Sequence, residues 1–378
     1  MNDCYKGHKV IVFALEHYNP LGLIRSLGEN GINPIYVTVE TKKHIFITDK
    51  SKYISKTYYV KSVEEGYSLL LNNFGNEILK PLILFSDDKS VSYFDLRFDE
   101  AKEKFIFFNA QKSGRICEFM DKKRILDLAK ECGFNVLKTI VVNKGEIPKD
   151  LEYPVITKGI TPIEGNWKGD VFICNDKNEL TKAYEKIVSS TVLLQKYIDK
   201  KNECALQGFT ANKGNSMLVA TAMSWKYLIK GYYSPFHNVS MFSDEVMKEK
   251  LSKMFAIIGF EGVFEAEFLI DQNDNYYFSE INFRASAWNY TGSCAGMPLS
   301  FLWVKSMVEG DIERSDFKTF EDFTSLSEPI DFGLRVDTGK ISLAQWLSDF
   351  KNAKCTYYYN KDDIEPFECV IEHWDSFK

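Results

Sequence analysis

The stretch GVFEAEFLIDQNDNYYFSEINFR, Gly262–Arg284, alternates apolar and polar residues along two arms joined by a polar connection, Gln272–Asn275. Alternation of period two is the mark of a β-hairpin with one buried face. In the first arm Phe264, Ala266, Phe268 and Ile270 share one face, and Val263, Glu265, Glu267 and Leu269 share the other. In the second arm Ser279, Ile281 and Phe283 oppose Glu280, Asn282 and Arg284. A four-residue connection pairs Asp271 with Tyr276 and sets Glu267 opposite Glu280 on one face, and a slip of one residue would separate them. Like charges directly opposite each other cost roughly 0.2–1 kcal/mol at a surface. A patch holding Glu265, Glu267, Glu280 and Asn282 therefore invites a cation, and hard oxygen ligands with open positions suit Mg²⁺, with Mn²⁺ as a substitute, shared with phosphate oxygens. The other reading of the same pattern is a solvated polar face.

Upstream of the hairpin, Lys9–Ala14 is an apolar run of the kind buried in a parallel sheet, and a helix is predicted over Leu21–Asn30, closed by Gly31. Strands over Asn33–Val39, Lys56–Val60, Pro81–Ser86 and Phe105–Asn109, with a helix around Glu64–Asn73, continue the rhythm. Residues 1–112 thus read as an open parallel α/β domain. Its first turn, Glu16–Gly22, lacks G-x-G-x-x-G, which disfavours a dinucleotide, and no G-x-x-x-x-G-K-[ST] occurs in the chain. Asp87 and Asp88 end a strand where such sheets bind ligands, although capping the next helix explains them as well.

The second region, 113–310, begins with an amphipathic helix over Met120–Cys132, capped by Asp121 and stopped by Gly133. Extended segments follow at Lys138–Val142, Pro154–Lys158, Val171–Cys174, Val192–Gln195 and Cys204–Thr210, with helices at Asn178–Ser189, Ser243–Ile258 and Pro298–Glu309. Residues 311–378 form a small, more polar accessory segment, helical at Ile341–Asn352 and extended at Lys354–Tyr359. The net charge of −6 over 378 residues argues against a general nucleic-acid binder. No apolar run reaches the length of a signal core or a membrane span. Eight scattered cysteines without a Cys-x-x-Cys pair read as free thiols of a cytoplasmic protein. The 15% aromatic content falls mainly in strand-like runs, where core packing accounts for it.

Glu267-Phe268 followed by Glu280-Ile281-Asn282-Phe283-Arg284 resembles the metal-binding signature of the ATP-grasp superfamily, E-F and then E-x-N-x-R. The other pieces stand in the family order. Asp121-Lys122 opens a helix, Tyr153–Lys158 is a strand ending in lysine, and Leu193–Ile198 is similar to the family's hinge strand. Leu23–Gly28 before Gly31-Ile32 resembles the domain that precedes ATP-grasp in the carboxylate–amine ligase branch.

The resemblance implies a two-lobed ATP-grasp fold over 113–310, with lobes at about 113–192 and 193–310. It implies that Lys122 and Lys158 reach the phosphates of ATP, and that the backbone of Gln195, Lys196, Tyr197 and Ile198 meets the adenine edge. Glu203 would take the ribose hydroxyls, Glu267, Glu280 and Asn282 would hold one or two Mg²⁺, and Arg284 would face the transferred phosphoryl group or a carboxylate. Lys158 and Arg284 would be the catalytic cations. The stretch Gly159–Asp170, with three glycines and Lys168, stands where the family has a flexible phosphate-covering loop, and Gln195 stands where many members have Glu.

The expected activity is ADP-forming ligation of a carboxylate, through an acyl phosphate, to an amine or similar nucleophile. Ser286, Trp288, Asn289, Lys226, Tyr232 and His237 are candidates for the substrate pockets. Expected partners are small-molecule carboxylates and amines, without nucleic acid or membrane span, and a homodimer is allowed. Alternatives are a carbamoyl-phosphate-synthase-like or carboxylase-like enzyme and a non-catalytic ATP-binding module. Against them stand the single ATP-grasp region, the lack of an obvious glutaminase or biotinyl segment, and the intact set of candidate ligands.

Overall fold

The computed structural model describes residues 2–41, 45–161, 169–229 and 234–377. The first sheet is formed by β1 (Cys4–Tyr5), β2 (His8–Leu15), β3 (Ile35–Val39), β4 (Lys56–Val60), β5 (Leu82–Phe85) and β6 (Ile106–Phe107), in the order β4-β3-β2-β5-β6 with β1 paired to β2. All its pairings except β1–β2 are parallel. Val10–Ala14 are wholly buried, as a strand covered on both faces requires. Each of the four larger side chains, Val10 to Phe13, contributes about 1.5–3 kcal/mol of burial. The helices α1 (Tyr18–Gly28), α2 (Val63–Phe74), α3 (Asp88–Asp95) and α4 (Phe98–Ala101) connect the strands. Helix α1 starts three residues earlier than the apolar pattern suggests, because Pro20 sits in its first turn, where a missing N–H costs nothing. The predicted strand Phe105–Asn109 shrinks to β6, and Asn109 instead bridges Glu261.

The helix expected over Met120–Cys132 is α6 (Lys122–Glu131), and a short helix that the sequence did not suggest, α5 (Arg115–Met120), precedes it. Asp121 lies between them with extended backbone and caps α6 by accepting from the Arg124 N–H at 2.8 Å. A second, antiparallel sheet has the order β7-β10-β8-β9, from β7 (Thr139–Asn143), β8 (Val155–Lys158), β9 (Ile173–Cys174) and β10 (Thr191–Lys196). Helix α7 (Lys177–Lys186) buries Leu180, Ala183 and Tyr184 against it.

The third sheet runs β15-β14-β11-β12-β13-β16-β17, from β11 (Asn202–Ala211), β12 (Ser216–Trp225), β13 (Phe236–Ser240), β14 (Gly262–Ile270), β15 (Tyr276–Asn282), β16 (Phe323–Leu326) and β17 (Cys355–Thr356). Its helices include α8 (Glu245–Ile258), α9 (Tyr290–Cys294) and α10 (Leu299–Glu309). Two of its strands, β16 and β17, come from residues 311–378, so this polar segment extends the sheet; α11 (Glu328–Arg335), α12 (Leu343–Asn352) and α13 (Glu365–Glu372) complete it. The segment is also tied to the N-terminal domain. Arg25 of α1, wholly buried, donates to Asp363 Oδ2 at 2.9 Å and to the carbonyls of Tyr357 and Tyr358 at 3.0 and 2.8 Å. Glu328 accepts from the N–H groups of Tyr357, Tyr358 and Tyr359, and burial raises its carboxyl to about 7.

The hairpin of β14 and β15 keeps the expected meeting of Glu267 with Glu280, but by a different route. Ile270, not Asp271, pairs with Tyr276, so the connection is Asp271–Asn275. The Asp271 carboxylate organises it by accepting from the N–H groups of Asn273 and Asn275, both at 2.9 Å. Register is then restored by a bulge at Ser279, because Phe268 faces Phe278 while Glu267 faces Glu280. The bulge lets Phe278 and Phe268 pack on Phe134 below the sheet, with ring centroids 5.5–5.7 Å apart, while Ser279 and Glu280 both face the cleft above. A second register shift, between Gln207 and Gly208, lies in β11. A Cβ on Gly208 would meet the Leu218 carbonyl oxygen at 2.4 Å, so glycine is needed for the close approach of these strands. Among the described residues no helix is long and apolar enough to cross a membrane.

Candidate active site

The second and third sheets face each other across a cleft of about 280 Å³. Lys122, Lys158, Gln195, Lys196, Tyr197, Ile198, Glu203, Glu267 and Glu280 all line it, although they are spread over 158 positions of the chain. Leu137, Ile156, Val171, Ile173 and Leu269 add apolar surface. The cleft therefore combines apolar walls with a cluster of cations and carboxylates. Lys168 and Tyr232 lie outside the described residues, as does most of the expected covering loop.

Lys122 is the first residue of α6, and its N–H is held by the Ile160 carbonyl at 2.9 Å, which ties the helix start to the turn after β8. Its ammonium forms an ion pair with Glu280. Burial disfavours the charge, but Glu280 outweighs burial and raises the Lys122 pKa. Lys158, at the end of β8, donates to Gln195 Oε1 at 3.0 Å. Burial and the nearby Lys122 charge lower its pKa to about 8. Gln195, almost wholly buried, also donates from Nε2 to Thr139 Oγ1 at 3.0 Å. Its side chain thus orients Lys158 through a neutral acceptor, where a glutamate would add a negative charge.

The hinge strand is more constrained than the sequence suggests. The Lys196 N–H is bonded to the Lys138 carbonyl at 2.8 Å and the Tyr197 N–H to the Pro154 carbonyl at 2.9 Å. The Ile198 N–H has no acceptor among the described residues and is the donor left for a planar ligand edge. Glu203, mostly buried, is ion-paired with Lys200, which the sequence reading did not single out.

At the opposite wall the carboxylates meet in register. Burial, with Glu280, Glu265 and Glu203 nearby, pushes the Glu267 carboxyl well above the usual carboxylate range. Lys122 holds Glu280 below it. Asn282 does not line the cleft; its Nδ2 donates to Glu265 Oε1 at 3.1 Å and to Glu267 Oε1 at 3.0 Å. Its Oδ1 accepts from Arg284 Nη2 at 3.2 Å. Coordination by Asn282 through its oxygen therefore requires the amide to turn over, a half-rotation about its last torsion. Glu265 in turn accepts from Gln207, whose Oε1 accepts from Ser286 Oγ at 3.0 Å. Gln207 carries no motif in the sequence and is recognised only through its pairing with Glu265. Among the described residues no three His, Cys, Asp or Glu side chains form a complete cage for an ion. Two adjacent carboxylates, Glu267 with its carboxyl raised mainly by burial and Glu280 lowered by Lys122, instead suit a divalent cation that brings phosphate oxygens with it.

The remaining candidates divide. Ser286 caps the Trp288 N–H at 3.1 Å, and Asn289 Nδ2 bonds the Ser286 carbonyl at 2.7 Å, so both shape the turn after Arg284. His237 is wholly buried between the rings of Trp225 and Trp288, with centroids 4.5 Å away on each side, and burial lowers it to about 3. A neutral, enclosed imidazole of this kind is packing and not an acid–base group. Lys226 lies on a separate surface cleft beside Arg335 and Lys340.

Comparison with known proteins supplies the family. The family profile of the carbamoyl-phosphate synthase L chain, ATP binding domain, matches residues 121–309. The chain belongs to this family and so to the ATP-grasp superfamily, whose architecture is seen here as a parallel α/β domain followed by antiparallel sheets forming the lobes. It is similar to N5-carboxyaminoimidazole ribonucleotide synthase of Staphylococcus aureus, 25% identical over 215 residues, 52% of this chain and 56% of that protein. The chain thus spans about half the length of the curated relatives it matches. In structure it resembles L-amino acid ligase from Bacillus licheniformis, with a TM-score of 0.63, 12% identity, and 85% and 80% of the two chains covered. It also resembles the biotin carboxylase domain dimer of Hydrogenobacter thermophilus 2-oxoglutarate carboxylase, solved with MgADP and bicarbonate, with a TM-score of 0.66, 18% identity, and 85% and 74% covered.

Proposed function

We propose that this protein is an ATP-dependent ligase that phosphorylates a carboxylate to an acyl phosphate and joins it to an amine or similar nucleophile, releasing ADP and phosphate. The observation that carries this reading is the gathering of Lys122, Lys158, Glu267 and Glu280 in one cleft, beside Asn282 and Arg284. Adenine lies against the apolar walls near the Ile198 N–H, Glu203 takes the ribose, and the lysines hold the phosphates. A divalent cation at Glu267, Glu280 and Asn282, Mg²⁺ or Mn²⁺, supplies charge compensation on the phosphate oxygens when bound. Lys158 and Arg284 then offset the charge that develops as the γ-phosphoryl passes in line to the carboxylate oxygen. The cleft walls exclude water from the acyl phosphate. The domains read from the sequence, 1–112, 113–310 and 311–378, belong to this proposal, as does a homodimer.

A second reading takes bicarbonate as the carboxylate. The synthase relative and the bicarbonate-bound carboxylase domain favour it, and it uses the same cleft and phosphoryl transfer. Incubating the protein with Mg-ATP and pooled carboxylates and amines, with and without bicarbonate, separates the two. ADP and phosphate that depend on an organic carboxylate and an amine support ligation, and dependence on bicarbonate supports carboxylation. Release of AMP and pyrophosphate would rule out both.

The lowered Lys158 pKa makes a pH-dependent prediction. Phosphate oxygens favour the ammonium form, so the pKa rises in the complex and binding takes up a proton once the free lysine has begun to lose its own, above about 8. ADP affinity is expected to fall up to about tenfold per unit between about pH 8 and pH 9.5, and to be flat nearer pH 7. Lys158→Arg keeps its charge throughout this range and should abolish the slope. Calorimetry in buffers of different ionisation enthalpy measures the proton uptake; equal uptake in both proteins would assign the proton elsewhere.

A further inference from the structure

Asp87 and Asp88 stand at the carboxyl end of β5, beside the central strand β2, where the strand order of the first sheet reverses. Their roles divide. Asp87 is a structural cap: its carboxylate accepts from the Ser90 N–H at 2.8 Å and the Leu15 N–H at 3.0 Å. Asp88 points instead to the third sheet, where it accepts from Arg284 Nε at 3.1 Å and Nη2 at 3.4 Å. Both partners are largely shielded, with side chains 23% and 16% exposed. The Ala285 N–H bonds the Phe85 carbonyl at 3.2 Å, so the backbone after Arg284 is docked on the same strand end.

Arg284 is thus held between Asp88 on one side and Asn282 Oδ1 on the other. The other carboxylates acting on it are Glu265, Glu267 and Glu280. These are the groups that a divalent cation would need, directly for Glu267 and through Asn282 for Glu265. A guanidinium released from Asp88 would turn to them, since it carries its charge at every working pH and its fork matches a carboxylate.

We propose that Asp88 is a positioning residue that holds Arg284 away from the glutamates, so that Glu267 stays open, and Glu280 meets no cation beyond Lys122, when the divalent cation that accompanies a nucleoside diphosphate or triphosphate arrives. The N-terminal sheet thereby sets the metal affinity of a site built in another sheet. The inference rests on the nucleotide-site reading above.

The test uses the full chain with Mn²⁺ and ADP, following free Mn²⁺ by its electron paramagnetic resonance signal. Asp88→Asn is expected to weaken Mn²⁺ uptake in the presence of ADP about tenfold, the size seen when a group behind a metal ligand is lost. Asp88→Glu should restore most of the affinity. If Arg284 is the competitor, adding Arg284→Met to Asp88→Asn should bring Mn²⁺ affinity back towards wild type, a coupling that general damage to the fold would not produce. Wild-type affinity in Asp88→Asn would overturn the inference, and so would a double variant as weak as Asp88→Asn alone. A wild-type protein that binds ADP but takes up no Mn²⁺ with it would overturn the metal-site reading and the inference together.

Discussion

Glu280→Gln is expected to lower turnover by a factor on the order of a hundred to a thousand while leaving the fold intact. The substitution keeps the shape of the side chain and removes one negative charge from a site where charge is closely balanced. In the protein Glu280 faces Glu267 across the hairpin and is paired with Lys122. Removing its charge has opposite effects on these neighbours. Glu267 loses its closest like charge and ionises more readily, which partly compensates. Lys122 loses the partner that raises its pKa and fixes its position. A cation then meets one carboxylate where it needs two, beside an ammonium whose charge is no longer offset. Nucleotide affinity in the presence of Mg²⁺ should fall, whereas ADP binding without metal should persist, since the lysines remain. Thermal unfolding provides the control, because Glu280 lies at the cleft and not in the core. Near-normal activity in a folded variant would place the metal site elsewhere.

Arg25→Leu acts on stability instead of chemistry, and the expected loss is about 3–5 kcal/mol, the usual cost of breaking a buried pair from one side. Arg25 and Asp363 are 0% and 1% exposed, and the guanidinium also serves the Tyr357 and Tyr358 carbonyls. Without it those acceptors and the Asp363 charge are left in the interior, although Ser51 and the Lys52 N–H still bond the carboxylate at 2.9 and 2.8 Å. The consequence should be local before it is global. Residues 355–363 are expected to exchange their amide hydrogens faster, while the cleft between the second and third sheets retains ADP binding. Denaturant unfolding together with hydrogen exchange measures both. Loss of nucleotide binding in step with the loss of protection would show that the C-terminal segment and the cleft unfold as one unit.

The two variants probe parts of the molecule that differ in how far they could be read in advance. The hairpin was legible because alternation of period two is written in consecutive residues, and one face had to be apolar. Even there, two local features were missed and cancelled in their effect. A connection one residue longer than expected shifts the register, and the bulge at Ser279 shifts it back, so Glu267 still meets Glu280. The longer connection follows from Asp271 bonding its own loop, and the bulge from Phe278 seeking Phe134 and Phe268. The first of these causes is local. The second depends on a ring from a different part of the chain.

By itself, the sequence determined the order of the elements, the ATP-grasp membership and the gathering of lysines, hinge strand and glutamates along one cleft, because each rests on short-range periodicity or on motifs of consecutive residues. Only the tertiary structure decided which of two adjacent aspartates caps a helix and which holds Arg284. It also made Gln195 an anchor for Lys158, brought Gln207 behind Glu265, and drew residues 311–378 into the third sheet and onto Arg25. The physical reason is common to all of these. A charged or polar side chain must be satisfied when buried, but its own neighbours in sequence do not say by whom, and the partner is chosen by strands and helices that meet only when the chain has folded.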